Sequence, residues 1–135
     1  MNYQVIYFSR KGSTRKIAET IAAEIGVNAE DVKNTNLKDN ALVFLGSGCY
    51  GGKPGKDMIE FIEKNNFKSI KVALFGTSGG GEGQETHEME KILKSKEAKI
   101  KSKFFCKGKF FLMNRGKPDE GDINDAKNFA KSMIK

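Results

Sequence analysis

Gln4-Val5-Ile6-Tyr7-Phe8-Ser9-Arg10-Lys11-Gly12-Ser13-Thr14-Arg15-Lys16 is the stretch from which the rest of the chain can be read. Gln4–Phe8 is short, rich in apolar, β-branched and aromatic residues, and stops at a polar turn, the pattern of a buried strand. From Arg15 the residues Ile17, Ala18, Ile21, Ala22 and Ile25 recur at helical spacing, and Gly26 supplies a C-terminal stop. The turn between strand and helix therefore places hydroxyls and unpaired backbone N–H groups at a helix N-terminus. The dipole and the free donors there favour an anion, most simply a phosphate. Gly12 lets the backbone approach it, and Lys11 adds a point charge. The plainer alternative is that Ser13 or Thr14 only caps the helix.

The same alternation continues along the chain. Ala41–Leu45, Ile70–Phe75 and Lys103–Cys106 read as buried strands, Glu30–Lys33 as a short edge strand, and Phe110–Met113 as an extended continuation after a break at Gly108. Met58, Ile59, Phe61 and Ile62 mark a second helix. Glu85–Lys94 forms a third, with Met89, Ile92 and Leu93 inward. Pro118, Asp119 and Asp122 open a fourth, whose stripe is Ile123, Ala126, Phe129, Ala130 and Met133. Strands alternating with helices imply a parallel sheet covered on both faces, a doubly wound three-layer α/β sandwich of one domain spanning 1–135. Ligands of such sheets sit outside the carboxyl ends of the strands. Three of those ends are rich in Gly, Ser and Thr: Ser9–Thr14, Gly46–Gly55 and Gly76–Gly83.

Composition narrows the classes of function. With 135 residues, 38% hydrophobic and 30% charged, the chain has the make-up of a globular domain. No apolar run approaches the ~18–20 residues of a spanning helix. Met1–Phe8 lacks a basic leader and runs straight into a strand, so no secretory signal is expected. Two cysteines, Cys49 and Cys106, argue against a disulfide framework and for a reducing cytoplasm. With one histidine they make no closed zinc site of Cys and His alone. The net charge of +7 fits a Lys-rich surface or an anionic partner. The denser basic stretch Lys91–Lys109 lacks the arginine-and-aromatic interleaving of a single-strand binder, so no nucleic acid is expected.

Two motifs mislead. Gly46-Ser47-Gly48-Cys49-Tyr50-Gly51 matches G-x-G-x-x-G, but Pro54 and Gly55 intervene before the helix, and the next strand ends at Phe75-Gly76 without the acidic residue a nicotinamide site wants. Gly52-Lys53 is followed by Pro54, which excludes a P-loop. Tyr7-Phe8-Ser9 lacks the acidic pair of a phosphoacceptor domain, and the first loop lacks the cysteine of a cysteine phosphatase.

Phe8–Lys16 resembles the phosphate loop of the short-chain flavodoxins and flavodoxin-like proteins, Gly46–Pro54 resembles their second flavin loop, and Phe75–Gly80 the third. Cys106–Phe110, Gly116–Asp119, Asp122 and Phe129 resemble the closing segment, so the similarity runs nearly end to end. It implies a five-stranded sheet in the order 2-1-3-4-5 and a bound FMN. The phosphate would lie on Ser9, Arg10, Lys11, Gly12, Ser13 and Thr14. The isoalloxazine would lie between a loop of Ser47, Gly48, Cys49, Tyr50 and Gly51 and a loop of Thr77, Ser78, Gly79 and Gly80. Tyr50 is the candidate stacking aromatic, and glycines in the second loop would permit a peptide flip between redox states. The sequence departs from the family pattern at Lys11, where a second hydroxyl is usual, and in having no tryptophan. Its basic charge contrasts with the acidic electron-carrying members and implies a reduction potential above theirs.

The resemblance implies electron transfer through bound flavin to a redox partner with an acidic surface or to a small acceptor. That describes an electron-transfer flavoprotein or a small FMN-dependent oxidoreductase, a monomer or weak dimer with no membrane partner. The alternative is a non-redox anion- or nucleotide-binding module on the same fold. No side chain is an evident acid, base, nucleophile or metal ligand. Cys49 reads as a small half-buried loop residue, Cys106 as core and His87 as a surface side chain. Phe44, Phe75, Phe104 and Phe129 read as core. Lys91–Lys109 reads as a solvated helix face and connection, or more sharply as a docking face.

Overall fold

Five parallel strands form a single sheet in the computed structural model of the chain, which describes residues 2–39, 42–109 and 116–134. The strands are β1 (Tyr3–Phe8), β2 (Ala29–Asp31), β3 (Leu42–Gly48), β4 (Lys71–Ser78) and β5 (Lys99–Lys107). Their spatial order is β2-β1-β3-β4-β5, the order expected from the resemblance. Helices α1 (Ser13–Ile25), α2 (Lys56–Lys64), α3 (Gln84–Ser95) and α4 (Glu120–Met133) make the crossovers and the last layer. Residue Ala41 and the expected extension at Phe110–Met113 lie outside the described residues.

Strand alternation divides the core into two layers. Val5, Tyr7, Phe44, Ala73 and Phe75 face α1 and α4, meeting Ile17, Ile21, Ala126 and Ala130. Ile6, Phe8, Val43, Leu45, Val72 and Leu74 face the other way, onto Met58, Phe61, Ile62, Met89 and Leu93 of α2 and α3. Successive residues of one strand point to opposite faces, so the near-continuous apolar runs of β1, β3 and β4 serve both layers. Phe129 of α4 packs edge-on to Phe44, with ring centroids 6.0 Å apart, and lies 5.6 Å from Phe104 of the outer strand.

Several boundaries move from their expected places. β3 and β4 each run three residues into the Gly-rich segments, because the pairs Ser47↔Gly76 and Gly48↔Thr77 continue the ladder. The edge strand is Ala29–Asp31 rather than Glu30–Lys33. Asp31 then caps a short 3₁₀ turn, Val32–Asn34, by accepting the Lys33 N–H at 2.9 Å. β5 starts at Lys99, four residues early, and its first half alternates exposed lysines with half-buried Ile100 and Ser102. Such lysines on an edge strand discourage further pairing. Gly12 occupies the N-cap of α1 at φ 94°, without a side-chain capping bond, so neither Ser13 nor Thr14 caps the helix. Asp119 and Asp122 do cap α4, each carboxylate accepting the other's N–H.

Glycine inside a strand here means that a neighbour's side chain fills the space. A Cβ at Gly46 would fall within the Phe75 ring on the adjacent strand. Alanine gains roughly 0.5–1 kcal/mol over glycine in an ordered backbone, but overpacking a filled core costs about 1–3 kcal/mol. Gly46→Ala is therefore expected to lower unfolding stability by about 1–2 kcal/mol in urea denaturation, whereas Gly116→Ala, whose added Cβ meets none of the described residues, leaves stability unchanged or raises it.

Candidate functional site

The carboxyl ends of β1, β3, β4 and β5 meet at a cleft of about 210 Å³. It is lined by Ser9, Arg10, Lys11, Ser13 and Thr14 from the first loop, Gly48, Cys49 and Tyr50 from the second, Thr77, Ser78 and Gly79 from the third, and Gly108 and Lys109 beyond β5. The last two were not among the expected site residues. Their signal lay in the sequence, as a glycine immediately after a strand at the same rim.

The loops are held together through their hydroxyls. Thr14 Oγ1 and Thr77 Oγ1 lie 2.8 Å apart, buried, and tie the start of α1 to the end of β4. Ser13 Oγ accepts the Lys109 N–H at 2.9 Å and ties the same turn to the end of β5. Gly108 fits between them, since a Cβ there would press on Ser13 and Thr77. Ser9 Oγ accepts the Gly12 N–H at 3.0 Å and closes the first turn on itself. Ser78 Oγ accepts the Gly81 N–H at 2.8 Å and shapes the third. The first N–H groups of α1 have no carbonyl one turn earlier, and with the helix dipole they make this end of the cleft receptive to an anion.

The second loop closes the other end. Tyr50 leans back over the cleft: its hydroxyl accepts the Arg10 N–H at 3.2 Å, and the Arg10 guanidinium lies 4.3 Å from its ring centre. Burial pushes the Tyr50 hydroxyl above its ordinary range. Gly48 has no room for a Cβ under the Tyr50 hydroxyl. Four expected site residues stand back from the lining. Ser47 is buried, donating to the Gly48 carbonyl and accepting the Gly55 N–H, both at 2.8 Å. Gly12 caps α1, and Gly51 and Gly80 lie exposed on their turns.

Cys49 is half-buried at the cleft wall, and burial above all pushes its thiol up and away from thiolate character. Cys106 is buried at the end of β5 with its thiol pushed up to about 12, again by burial first. His87 is exposed, its Nδ1 2.8 Å from Lys103 Nζ, and stands outside the cleft lining. The dense basic stretch divides. Lys91, Lys94 and Lys103 pair with Glu88 and Glu90. Lys99 and Lys101 sit on the edge strand, and Lys109 lines the cleft.

Replacing Thr77 by valine keeps the shape and removes the Thr14 partner. A buried hydroxyl left unpaired costs about 1–3 kcal/mol, and removing both partners costs less than the sum. Thr77→Val and Thr14→Val are each expected to destabilise by that amount in urea denaturation, and the double variant by less than their total. Strict additivity would show that the bond does not hold the two loops.

Residues 4–114 match the family model described as a flavodoxin domain. An uncharacterised protein of Methanocaldococcus jannaschii is 35% identical over 136 aligned positions, covering 91% of each chain. A flavodoxin of Clostridium beijerinckii is 31% identical across 64% of this chain and 72% of its own. Among solved structures, an archaeal flavodoxin superposes with a TM-score of 0.80 over 98% of this chain and 96% of that one, at 19% identity, a likeness of fold. No helix among the described residues is long and apolar enough to cross a membrane. By its matched span, and in keeping with its strand order and converging loops, the chain belongs to the flavodoxin-domain family.

Proposed function

We propose that the chain binds FMN in this cleft and transfers electrons through it to a partner protein or a small acceptor. The observation that carries the reading is the convergence of the α1 N-terminus with two glycine-bearing strand ends on one cleft. The residues fit the group. The phosphate would rest on the N–H groups of the first turn of α1, with Ser9, Arg10, Lys11, Gly12, Ser13 and Thr14 around it. The ring would lie between Gly48, Cys49 and Tyr50 on one side and Thr77, Ser78 and Gly79 on the other. Ser47, Gly51 and Gly80 would shape those two loops. FMN, when bound, supplies the redox chemistry; the protein binds, orients and sets the local charge.

Tyr50 has two tasks in this reading. Held against Arg10 it covers the mouth. Turned outward it frees the width a tricyclic ring needs and presents a flat face to it. The rim is positive: Arg10, Lys11 and Lys109 line the cleft, and Lys53 and Lys56 border the groove beyond Tyr50. A positive surround stabilises the extra negative charge of reduced flavin and raises its potential. It also favours encounter with an acidic partner in a salt-sensitive way. The names of the flavodoxin relatives support the same function.

Reconstitution with FMN and with riboflavin tests the reading. FMN is expected to bind one to one, colour the protein yellow, and bind at least about tenfold more tightly than riboflavin, because charge-assisted hydrogen bonds to the phosphate contribute about 1.5–3 kcal/mol each. A protein that takes inorganic phosphate or a nucleotide but no FMN would instead be the non-redox module. In the reconstituted protein, reversing Lys53 and Lys109 to glutamate together is expected to lower the potential of the bound flavin in a redox titration. An unchanged potential would remove the electrostatic part of the reading.

A further inference from the structure

Glu85 is the second residue of α3 and has no exposed surface. Neither of its carboxyl oxygens has a hydrogen-bond partner among the described residues, and they are the only buried side-chain oxygens or nitrogens there in that position. The carboxyl is seated over the backbone of Gly76 in β4, where any Cβ would strike it. Beside it is Cys49, which lines the cleft. The carboxyl thus lies one side chain beneath the cleft wall, under the turn that runs from Gly48 to Gly52.

The surroundings offer a charge on this group little support. From β4 it meets Gly76, and from the second loop Cys49. The buried Cys106 thiol of β5 senses its charge, although burial and Asp122 act more strongly on that thiol. On its own helix, His87 is exposed beside Lys103, and Glu88 pairs with Lys91. No lysine or arginine forms an ion pair with Glu85 among the described residues. The helix dipole favours a negative charge here. Burial pushes the carboxyl above its ordinary range, while the nearby Glu85 N–H and Cys49 thiol, neither in hydrogen-bonding geometry with it, act more weakly the other way. A carboxyl kept from water without a partner is far easier to hold as the neutral acid.

We propose that Glu85 is a proton-binding site of the cleft, neutral in the folded chain at pH 7, and that its ionisation puts a negative charge under the Gly48–Gly52 turn and weakens the hold on an anionic or electron-rich occupant. The second half rests on the FMN reading; the first half does not. A carboxyl raised in the folded state contributes stability that is complete below its unfolded pKa. That contribution falls as the pH rises through the folded pKa, because the unfolded chain releases its proton first.

The test compares the FMN-free wild type with Glu85→Gln, which keeps the neutral shape. The stability of wild type relative to Glu85→Gln is expected to fall steadily from acid to alkaline pH and to level off once the folded carboxyl is ionised. Parallel profiles for the two folded proteins would overturn the proposal. Should the variant not fold, infrared spectroscopy of the wild type at pH 7 decides: the C=O band of a buried protonated carboxylic acid supports the proposal, and its absence overturns it. For the coupling, FMN affinity of the wild type is expected to weaken relative to Glu85→Gln as the pH rises, the comparison cancelling the titration of the phosphate itself. A constant ratio would overturn the coupling. A protein that binds no FMN at any pH contradicts the proposed function, and the FMN-free profiles still decide whether Glu85 holds its proton.

Discussion

The bond between the Thr14 and Thr77 hydroxyls, 2.8 Å long and shut away from water, holds the geometry on which the site depends. It joins the first turn of α1 to the end of β4, two elements 63 residues apart in the chain. With Ser13 accepting from Lys109 and Gly108 wedged between Ser13 and Thr77, it draws the ends of three strands to one point. In a low-dielectric interior such a bond is strong, and either partner left alone would be costly. The N–H groups at the start of α1 therefore face a cleft whose opposite wall is fixed, rather than open solvent.

Glycine works in this fold chiefly through what it lacks. Gly46 makes room for the Phe75 ring in the layer beneath α1 and α4, and Gly55 makes room for Phe8. Gly76 makes room for Glu85 on the opposite face, and Gly48 for the Tyr50 hydroxyl. Each exchanges a small residue on one element for a large one on its neighbour, which maintains packing density while the backbone at the rim stays close enough to form a narrow cleft. The same economy explains why segments that look like loose Gly-rich loops are in part strand: β3 and β4 pair through Ser47, Gly48, Gly76 and Thr77 before they turn.

Sequence reasoning reached the alternation of strands and helices and the three rim segments because these rest on local signals: apolar runs of strand length, helical spacing and glycine after strands; the sheet order came from the resemblance. It did not reach what depends on distant partners. Ser13 and Thr14 read as caps or phosphate ligands in isolation; their hydroxyls are committed to Lys109 and Thr77, which no local pattern reveals. β5 read as short because its first residues are polar, which an edge position permits. Glu85 entered the sequence reading only as the start of the third helix; the register of α3 over Gly76 places it in the interior. The basic stretch at Lys91–Lys109 read as one feature and is divided by the fold among ion pairs, an edge strand and the cleft rim.

The family and the shape of the cleft follow from the chain itself, and FMN is the occupant proposed for it. A crystal structure of the complex with FMN tests that proposal most directly. The phosphate is expected on the backbone N–H groups that open α1, and the ring between the Gly48–Tyr50 and Thr77–Gly79 segments with Tyr50 turned outward. A flavin found anywhere else, or a cleft that stays closed by Tyr50 at saturating FMN, would contradict it.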